Sequence, residues 1–592
     1  MFSKVRSRFR SRLENEPSSL HEEPVHISAE DKNVAENTRD VSESLSDVPD
    51  PEVQNGVRNA EAITLTWTKP FLITVFASIW LVYFANAFQS SITSNLTPFV
   101  LSDFAAHSLV PTIYIVSNVM AGSLRLAVSR LLDLWGRPQG FAVALCVATL
   151  GLILMAKTTN VETFAAAQVF YTVGFDALIY SCDVVTADVT SLKNRALAYA
   201  FTSSPYIITA FAGPKAAEGF YEKISWQWAF GIFCIILPVV AAPLFITLML
   251  WQQKAKKSGL LTPRNSGRKW NQSIWFYIVD VDAFGVFLFA AGFCLFLLPF
   301  SIAGDAVDQW KTPHIIAMLV LGFVLLIAFV LYEKFLAPKP FLPFSILLHR
   351  SVLGTCMLTL AFQVGYYCWS GYFTSYLQVV HNLGISEAGY VGSVFDVVSG
   401  IWTFFIGYLV RKTGHFKWIM IIAVPMDILG IGLMIYFRQP GWSVGYVVMC
   451  QIFIAISGGT LILTQQISIM SVVEHEQFAA VLALLGLFGY IGGAIGNSIS
   501  GAVWTNTFPE ALAKNLPDYA QANLTDIYND LDTQLSYPMG DPVRDAIITS
   551  YAVAQKYMCT AGVCIMATSL IWVFMIKDVN VNRVKQTKGL VF

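Results

Sequence analysis

The sequence predicts an all-α membrane protein of fourteen spanning helices with both termini on the cytoplasmic side. Three observations carry this. Hydrophobic residues make up 55% of the chain and charged residues only 13%; apolar stretches of about twenty residues recur from Pro70 to about Ile576; and Lys and Arg concentrate in alternate connections. So little polar surface could not cover 592 residues in water. A helix of about twenty residues crosses about 30 Å of hydrocarbon while satisfying its own backbone hydrogen bonds.

Residues 1–68 contain no apolar run, so no cleavable signal peptide is expected. After the basic start "MFSKVRSRFRSR" they are rich in Glu, Asp, Ser and Asn, which predicts a disordered cytoplasmic tail. "FLITVFASIWLVYFANAF", "QGFAVALCVATLGLILMA", "AFGIFCIILPVVAAPLFITLML", "IIAMLVLGFVLLIAFVLY" and the final "CTAGVCIMATSLIWVFMI" are clear spans. With the N-terminus inside, the cytoplasmic connections carry Arg130/Arg137, Lys193/Arg195, the cluster Lys254 to Lys269, Lys334/Lys339/Arg350, Arg411/Lys412/Lys417 and the tail from Lys577. The net charge of −1 gives no reason to expect nucleic acid as a partner. All nine cysteines fall in or at the edge of spans without a C-x-x-C pair, which reads as packing rather than a disulfide or metal framework.

"SRLLDLWGRPQ", residues 129–139, follows the second span and sets Arg130, Asp133 and Arg137 around Gly136. It reads either as an ordinary basic loop or as a tight turn whose charges touch neighbouring helix ends. "GYLVRKTGHFK", after the tenth span, repeats the order: Gly407, Arg411 and Gly414 have the spacing of Ser129, Asp133 and Gly136, with Lys412 beside Arg411. Recurrence in corresponding loops is what internal duplication in a transporter predicts. These residues form a candidate cytoplasmic gate.

"SRLLDLWGR" resembles the loop signature of the major facilitator superfamily, with Ser129 where that pattern usually starts with Gly. Three further stretches resemble its fungal siderophore–iron transporter family: "ADVTSLKNRALAYAFTSSPYIITAFAGPKAAE", "WQWAFGIFCIILPVVAAPLFI" and "IGNSISGAVWTNTFPEALAKNLP". The resemblance implies a fold of six, two and six helices and proton-driven import of ferric siderophores, mainly hydroxamates, by alternating access. Relatives that move haem or glutathione keep the cargo open. A same-fold exporter of glutathione or drugs and a non-transporting siderophore receptor are the alternatives; an enzyme is not expected. The division expected is a tail (1–68), a first six-helix bundle (69–252), a linker with two extra helices at about 281–300 and 313–333 (253–335), a second six-helix bundle with an external segment at 507–550 (336–578), and a second tail (579–592). The protein is expected to be a monomer in the lipid bilayer of the plasma membrane or of endosomal vesicles.

A charge at the bilayer centre costs about 2.5–3.5 kcal/mol, so mid-span carboxylates need a reason. Asp176 and Asp183 share a face of the fourth span, where either could pair with Arg125 of the second or relay protons. Asp396 in the tenth span has no cation in its own helix, and Asp427 lies in a span expected to be peripheral. These four are the proton-coupling candidates. A ferric trishydroxamate is neutral, so the membrane potential, worth about 2.3 kcal/mol per charge per 100 mV, does no work on it; a co-transported proton supplies the coupling.

None of the eight histidines falls mid-span, and no His/Cys/Asp group has metal-ligand spacing. No metal site or cofactor is expected, which suits cargo whose iron brings its own ligands. "FQVGYYCWSGYFTSYLQ" in the ninth span places Tyr366, Trp369, Tyr372 and Tyr376 at helical spacing, a stripe suited to an amphiphilic ligand or to helix packing. Gln465 and Gln466 of the twelfth span, and Asn497 among the small residues of the thirteenth, are further binding candidates. In the external segment Tyr528, Tyr537 and Arg544 are candidates for a capture surface or parts of a spacer, and Asp541-Pro542 reads as a helix start. Asn95-Leu-Thr and Asn523-Leu-Thr, both expected outside, are candidate glycosylation sites.

Overall fold

The computed structural model describes residues 69–257, 270–306, 308–474 and 477–582. The N-terminal tail, most of the basic linker and the tail beyond residue 582 lie outside the described residues. Thirteen helices among the described residues are long and apolar enough to cross a membrane: α1 (Lys69–Asp103), α2 (His107–Trp135), α3 (Arg137–Lys157), α4 (Val161–Asp188), α7 (Trp226–Lys257), α9 (Ala283–Asp305), α10 (Pro313–Phe335), α11 (Arg350–His381), α12 (Ile385–Thr413), α13 (Lys417–Phe437), α14 (Val444–Met470), α15 (Phe478–Asn515) and α16 (Pro542–Met575). The segment expected to supply a further unbroken span is two shorter helices, α5 (Leu192–Ser203) and α6 (Pro205–Gly219). Pro205 starts α6 because its ring cannot continue the preceding hydrogen-bond ladder. A short helix, α8 (Trp270–Asp280), precedes α9.

Helix ends follow local chemistry. Asn160 caps α4, its side chain accepting from Thr163 N at 2.9 Å, and Asp541 caps α16 through Val543 N at 2.7 Å. Gly136, at φ 103°, lets the chain turn straight from α2 into α3, where Pro138 occupies a first-turn position that needs no N–H. Gly414, at φ 74°, ends α12 in the left-handed conformation.

Two groups of helices face each other. α3 packs on α4, α4 on α2, and α1 on α6 and α7; in the second group α11 packs on α15 and α16, and α12 and α13 on α14. They meet along two seams, α2 with α15 and α5/α6 with α12. The extra pair, α9 and α10, attaches through α9 to α2 and α15, outside the space between the groups. α10 exposes a run of large apolar side chains including Ile316, Val320, Phe323 and Val324, as a lipid-facing perimeter helix would. Two of the expected element bounds change. α15 continues to Asn515 and α16 begins at Pro542, so the segment between them, expected to be external, is shorter than 507–550. α11 breaks between Ser370 and Phe373, where Gly371 lies against Ser500 of α15.

Candidate functional site

A cavity of about 570 Å³ lies between the two seams, lined by α1, α2, α4 and α6 from one group and α11, α12 and α15 from the other. Its wall is polar but nearly uncharged. α1 contributes Asn86, Ser90, Ser91, Thr93 and Asn95; α4 contributes Gln168, Tyr171 and Asp176; Tyr114, Asn118 and Tyr206 face them. The second group supplies Tyr366, Tyr367, Trp369, Thr374, Asp396, Tyr490 and Asn497. Asn86 Nδ2 donates to the Tyr206 hydroxyl at 2.8 Å, while the Nδ2 of Asn118 and the Nε1 of Trp369 meet no acceptor among the described residues. Such orphaned donors at a wall are groups a ligand can satisfy.

The four proton-coupling candidates separate here. Asp176 lines the cavity, ion-paired with Arg125 and accepting from the Tyr490 hydroxyl at 2.9 Å. Tyr180 and Tyr490 cover the guanidinium at 4.8 and 5.9 Å. Asp183 accepts from the Tyr83 hydroxyl and stands off the cavity wall. Asp427 faces α14, bound by Ser457 at 2.5 Å, also away from the cavity. Asp396 lines the cavity from α12, just after that helix is interrupted at Ser393; among the described residues nothing donates to its carboxylate, and Tyr206 and Tyr366 are within its electrostatic reach.

The break in α11 divides the aromatic stripe. Tyr366 and Trp369 face the cavity with ring centroids 5.2 Å apart. Tyr372 turns away, stacked on Trp504 at 4.0 Å with its hydroxyl donating to Ser108 O at 2.9 Å, and Tyr376 is buried against Arg438. Gln465 is buried within α14, and neither it nor Gln466 lines the cavity. Asn497 lines it while donating to Gly493 O at 2.9 Å. A Cβ at Gly493 would lie 3.0 Å from both Asn118 and the Tyr367 ring, so this small residue lets the α15 backbone pack closely against two side chains of the wall.

Residues of the candidate gate occupy the end of the bundle beyond the cavity. Arg137 is buried between two carboxylates, at 2.7 Å from Asp133 and 2.9 Å from Asp188, tying the α2–α3 turn to the end of α4. Arg130 donates to the backbone oxygens of Asp280, at the end of α8, and Pro340, in the loop after α10, at 2.6 and 2.5 Å. Arg411 and Lys412 are exposed at the end of α12, so the second loop repeats the spacing without the buried ion pairs. At this end Tyr180 donates to Ala479 O at 2.6 Å, and the buried Arg195 lies over Phe478 at 4.4 Å, joining the two groups.

Cross-group contacts also lie at the opposite end. Ser386 donates to Glu218 at 3.1 Å, and the external segment lies across the groups: Leu531 N donates to Ser102 at 3.0 Å and Tyr221 to Asp532 at 2.8 Å. Partial burial raises the Asp532 carboxyl above the ordinary range, against the opposing pull of the Tyr221 hydroxyl. Tyr528 is buried with its hydroxyl on Asp305 at 3.0 Å. Arg544 is fully buried and donates to the backbone oxygens of Gln534, Tyr537, Val379 and Gln378, fastening the segment to the end of α11. Tyr528, Tyr537 and Arg544 thus hold the segment in place and none of them lines the cavity. Asn95 corrects an expectation: it is not in an outer loop but buried in α1, its amide donating to Ser91 O at 2.7 Å on the cavity wall. A glycan there would need space the helix packing does not leave. Asn523 is exposed in the segment between α15 and α16.

Much of this wall was not singled out from sequence. Asn86, Ser90, Ser91 and Thr93 stand in "NAFQSSITSN", a dense run of hydroxyls and amides inside an otherwise apolar helix. That run was the available signal.

The pattern of the Major Facilitator Superfamily matches residues 79–497. The chain is 53% identical to the MFS siderochrome iron transporter D of Aspergillus fumigatus, over 92% of this chain and 91% of that protein. It is 50% identical to the siderophore iron transporter mirB of Emericella nidulans, over 92% and 90% respectively. A crystal structure of a bacterial homologue of the human lysosomal transporter Spinster, inward-facing and unoccupied, is similar in fold alone: TM-score 0.52 at 15% identity, covering 86% of this chain and 98% of that one. Two facing helix groups with a cavity at their seam, and identity of this extent along the whole membrane region, lead to one conclusion: the chain belongs to the siderophore iron transporter family of the major facilitator superfamily.

Proposed function

We propose that this protein imports ferric siderophores of the hydroxamate type together with protons, by alternating exposure of the cavity between its two helix groups. The observation that carries the reading is the cavity wall itself: amides, hydroxyls and aromatic faces, one carboxylate already paired, and one, Asp396, unpaired. A neutral iron chelate needs stacking surfaces and hydrogen-bond partners rather than a counter-charge, and a cavity of about 570 Å³ lies within the usual range for small-molecule sites. The relatives' names, which give a siderophore or siderochrome iron complex as cargo, support the same class.

In this reading Asp396 carries the proton. Uncharged when protonated, it lets the loaded cavity close without an isolated charge; deprotonation toward the cytoplasm restores the charge and commits the cycle. Asp176 is engaged by Arg125 and the Tyr490 hydroxyl and positions α2 against α4 and α15. Asp183 and Asp427 serve packing. Tyr366 and Trp369 stack on the chelate, with Asn497 and Asn118 as hydrogen-bond partners. Arg137, Asp133 and Asp188 latch the cytoplasmic face and never meet cargo. The basic loops are cytoplasmic, both termini are inside, the protein works as a monomer, and the membrane is the plasma membrane or that of endosomal vesicles.

The test is uptake of labelled iron by cells that lack iron-chelate import of their own and express this chain alone. Ferric trihydroxamates, a ferric catecholate, ferric citrate and haem are offered in parallel. Accumulation of the trihydroxamates over the other complexes is expected. Accumulation of haem alone, or binding of the chelate without entry, overturns the reading.

A further inference from the structure

Arg438, just past α13, occupies a place the transport cycle does not use. It is fully buried, at 0% exposure, behind the part of the cavity wall formed by Trp369 and Phe373. Its guanidinium carbon lies 4.6 Å from the ring of Phe373 and 4.9 Å from that of Tyr376. Nη1 donates to the Trp369 carbonyl at 2.7 Å. Nε and Nη2 meet no acceptor among the described residues. Those two nitrogens share one edge of the planar guanidinium, and their N–H bonds run parallel toward a single partner, as in a bidentate contact to an anion.

The surroundings share this deficit. The Tyr376 hydroxyl and both amide atoms of Gln555 are buried without partners among the described residues. Gln555 stands one helical turn from Cys559, whose thiol lies beside the guanidinium. No Asp or Glu is among the groups acting on Arg438. The aromatic faces stabilise the cation from above but leave its N–H edge with no oxygen or nitrogen acceptor among the described residues and only the weakly accepting Cys559 thiol beside it. Water could satisfy the hydrogen bonds; it could not supply the missing charge.

We propose that Arg438 Nε and Nη2, with the Tyr376 hydroxyl and the Gln555 amide, bind a small monovalent inorganic anion such as chloride. The site sits where α13, the outer half of α11 and α16 meet. Because Nη1 of the same guanidinium holds the Trp369 carbonyl, the anion fixes the break in α11 and with it the cavity wall.

The experiment uses the purified full-length chain. Sodium chloride is titrated against sodium gluconate at constant ionic strength while thermal unfolding is followed, and binding of radiolabelled chloride is measured after purification in gluconate. The expected result is a saturable rise in unfolding temperature on the order of 2–4 °C, with one chloride bound per chain and displaced by bromide. Both effects disappear in Arg438→Gln and weaken in Gln555→Leu. Identical unfolding in the two salts with no bound label in the unmodified chain overturns the proposal, whether or not Arg438→Gln folds. Chloride binding that Arg438→Gln leaves intact overturns it as well.

Discussion

Replacing Asp176 by asparagine removes the counter-charge of Arg125 in the middle of α2. Both side chains are largely buried, at 14% and 8% exposure, so the guanidinium cannot turn to water without dragging α2 away from α4 and α15. Breaking one partner of a buried pair costs about 3–5 kcal/mol. Two features of this site temper the loss: the rings of Tyr180 and Tyr490 at 4.8 and 5.9 Å retain about 1–2 kcal/mol of cation–π attraction, and the asparagine oxygen still accepts from Tyr490. A destabilisation of about 3 kcal/mol is therefore expected. Denaturant unfolding of the purified full-length chain reads it directly. The double variant Arg125→Leu/Asp176→Leu should recover most of the loss, because no uncompensated charge remains. A double-mutant cycle closed with the single variants Arg125→Leu and Asp176→Leu then gives a coupling energy above about 2 kcal/mol. If Asp176→Asn unfolds within about 0.5 kcal/mol of the parent chain, the pair is not a lock, and Asp176 returns to the proton path from which this account removes it.

Arg137→Ala leaves Asp133 and Asp188 facing each other in a buried turn and should slow transport by on the order of tenfold, measured as initial uptake. Arg411→Ala and Lys412→Ala, at exposed positions, should change stability by less than about 0.5 kcal/mol. Trp369→Ala should raise the half-saturating chelate concentration by about tenfold or more, since a lost stacking face is worth about 1–3 kcal/mol; Tyr372→Phe should lower stability by about 1 kcal/mol and leave that concentration unchanged. Asn523→Gln should abolish the mobility shift produced by deglycosylation, whereas Asn95→Gln should leave the shift intact.

Span length, basic loops and the boundaries of the extra helices could be read from the sequence because bilayer thickness imposes its own period on a chain. The start of α16 at Asp541-Pro542 was legible for a local reason, a capping side chain followed by a residue that needs no N–H. Asn95 misled for the opposite one: a sequon among hydroxyls looks like an outer loop, yet α1 continues through Pro98 to Asp103 and those hydroxyls face a polar cavity. The aromatic stripe of α11 was visible as a period but not as two faces, since the break at Gly371 depends on α15 pressing against it. Arg125 was recognised as the partner of Asp176 or Asp183, and only the rotation of α2 against α4 decided between them. Arg438 gave no signal, and Arg544 read as a candidate for capture rather than as a buried anchor, because a buried arginine near a helix end has the same sequence appearance as a solvated one.

The account depends on Asp396 as the group that couples proton movement to the chelate. Proteoliposomes containing the full-length chain, loaded at neutral pH and placed in acidic buffer with a labelled ferric trihydroxamate, test this most directly. One proton per chelate and a gradient of about two pH units allow about a hundredfold accumulation. The unmodified chain should accumulate the chelate, while Asp396→Asn should exchange it across the membrane without concentrating it. Accumulation by Asp396→Asn to the level of the unmodified chain would contradict the mechanism.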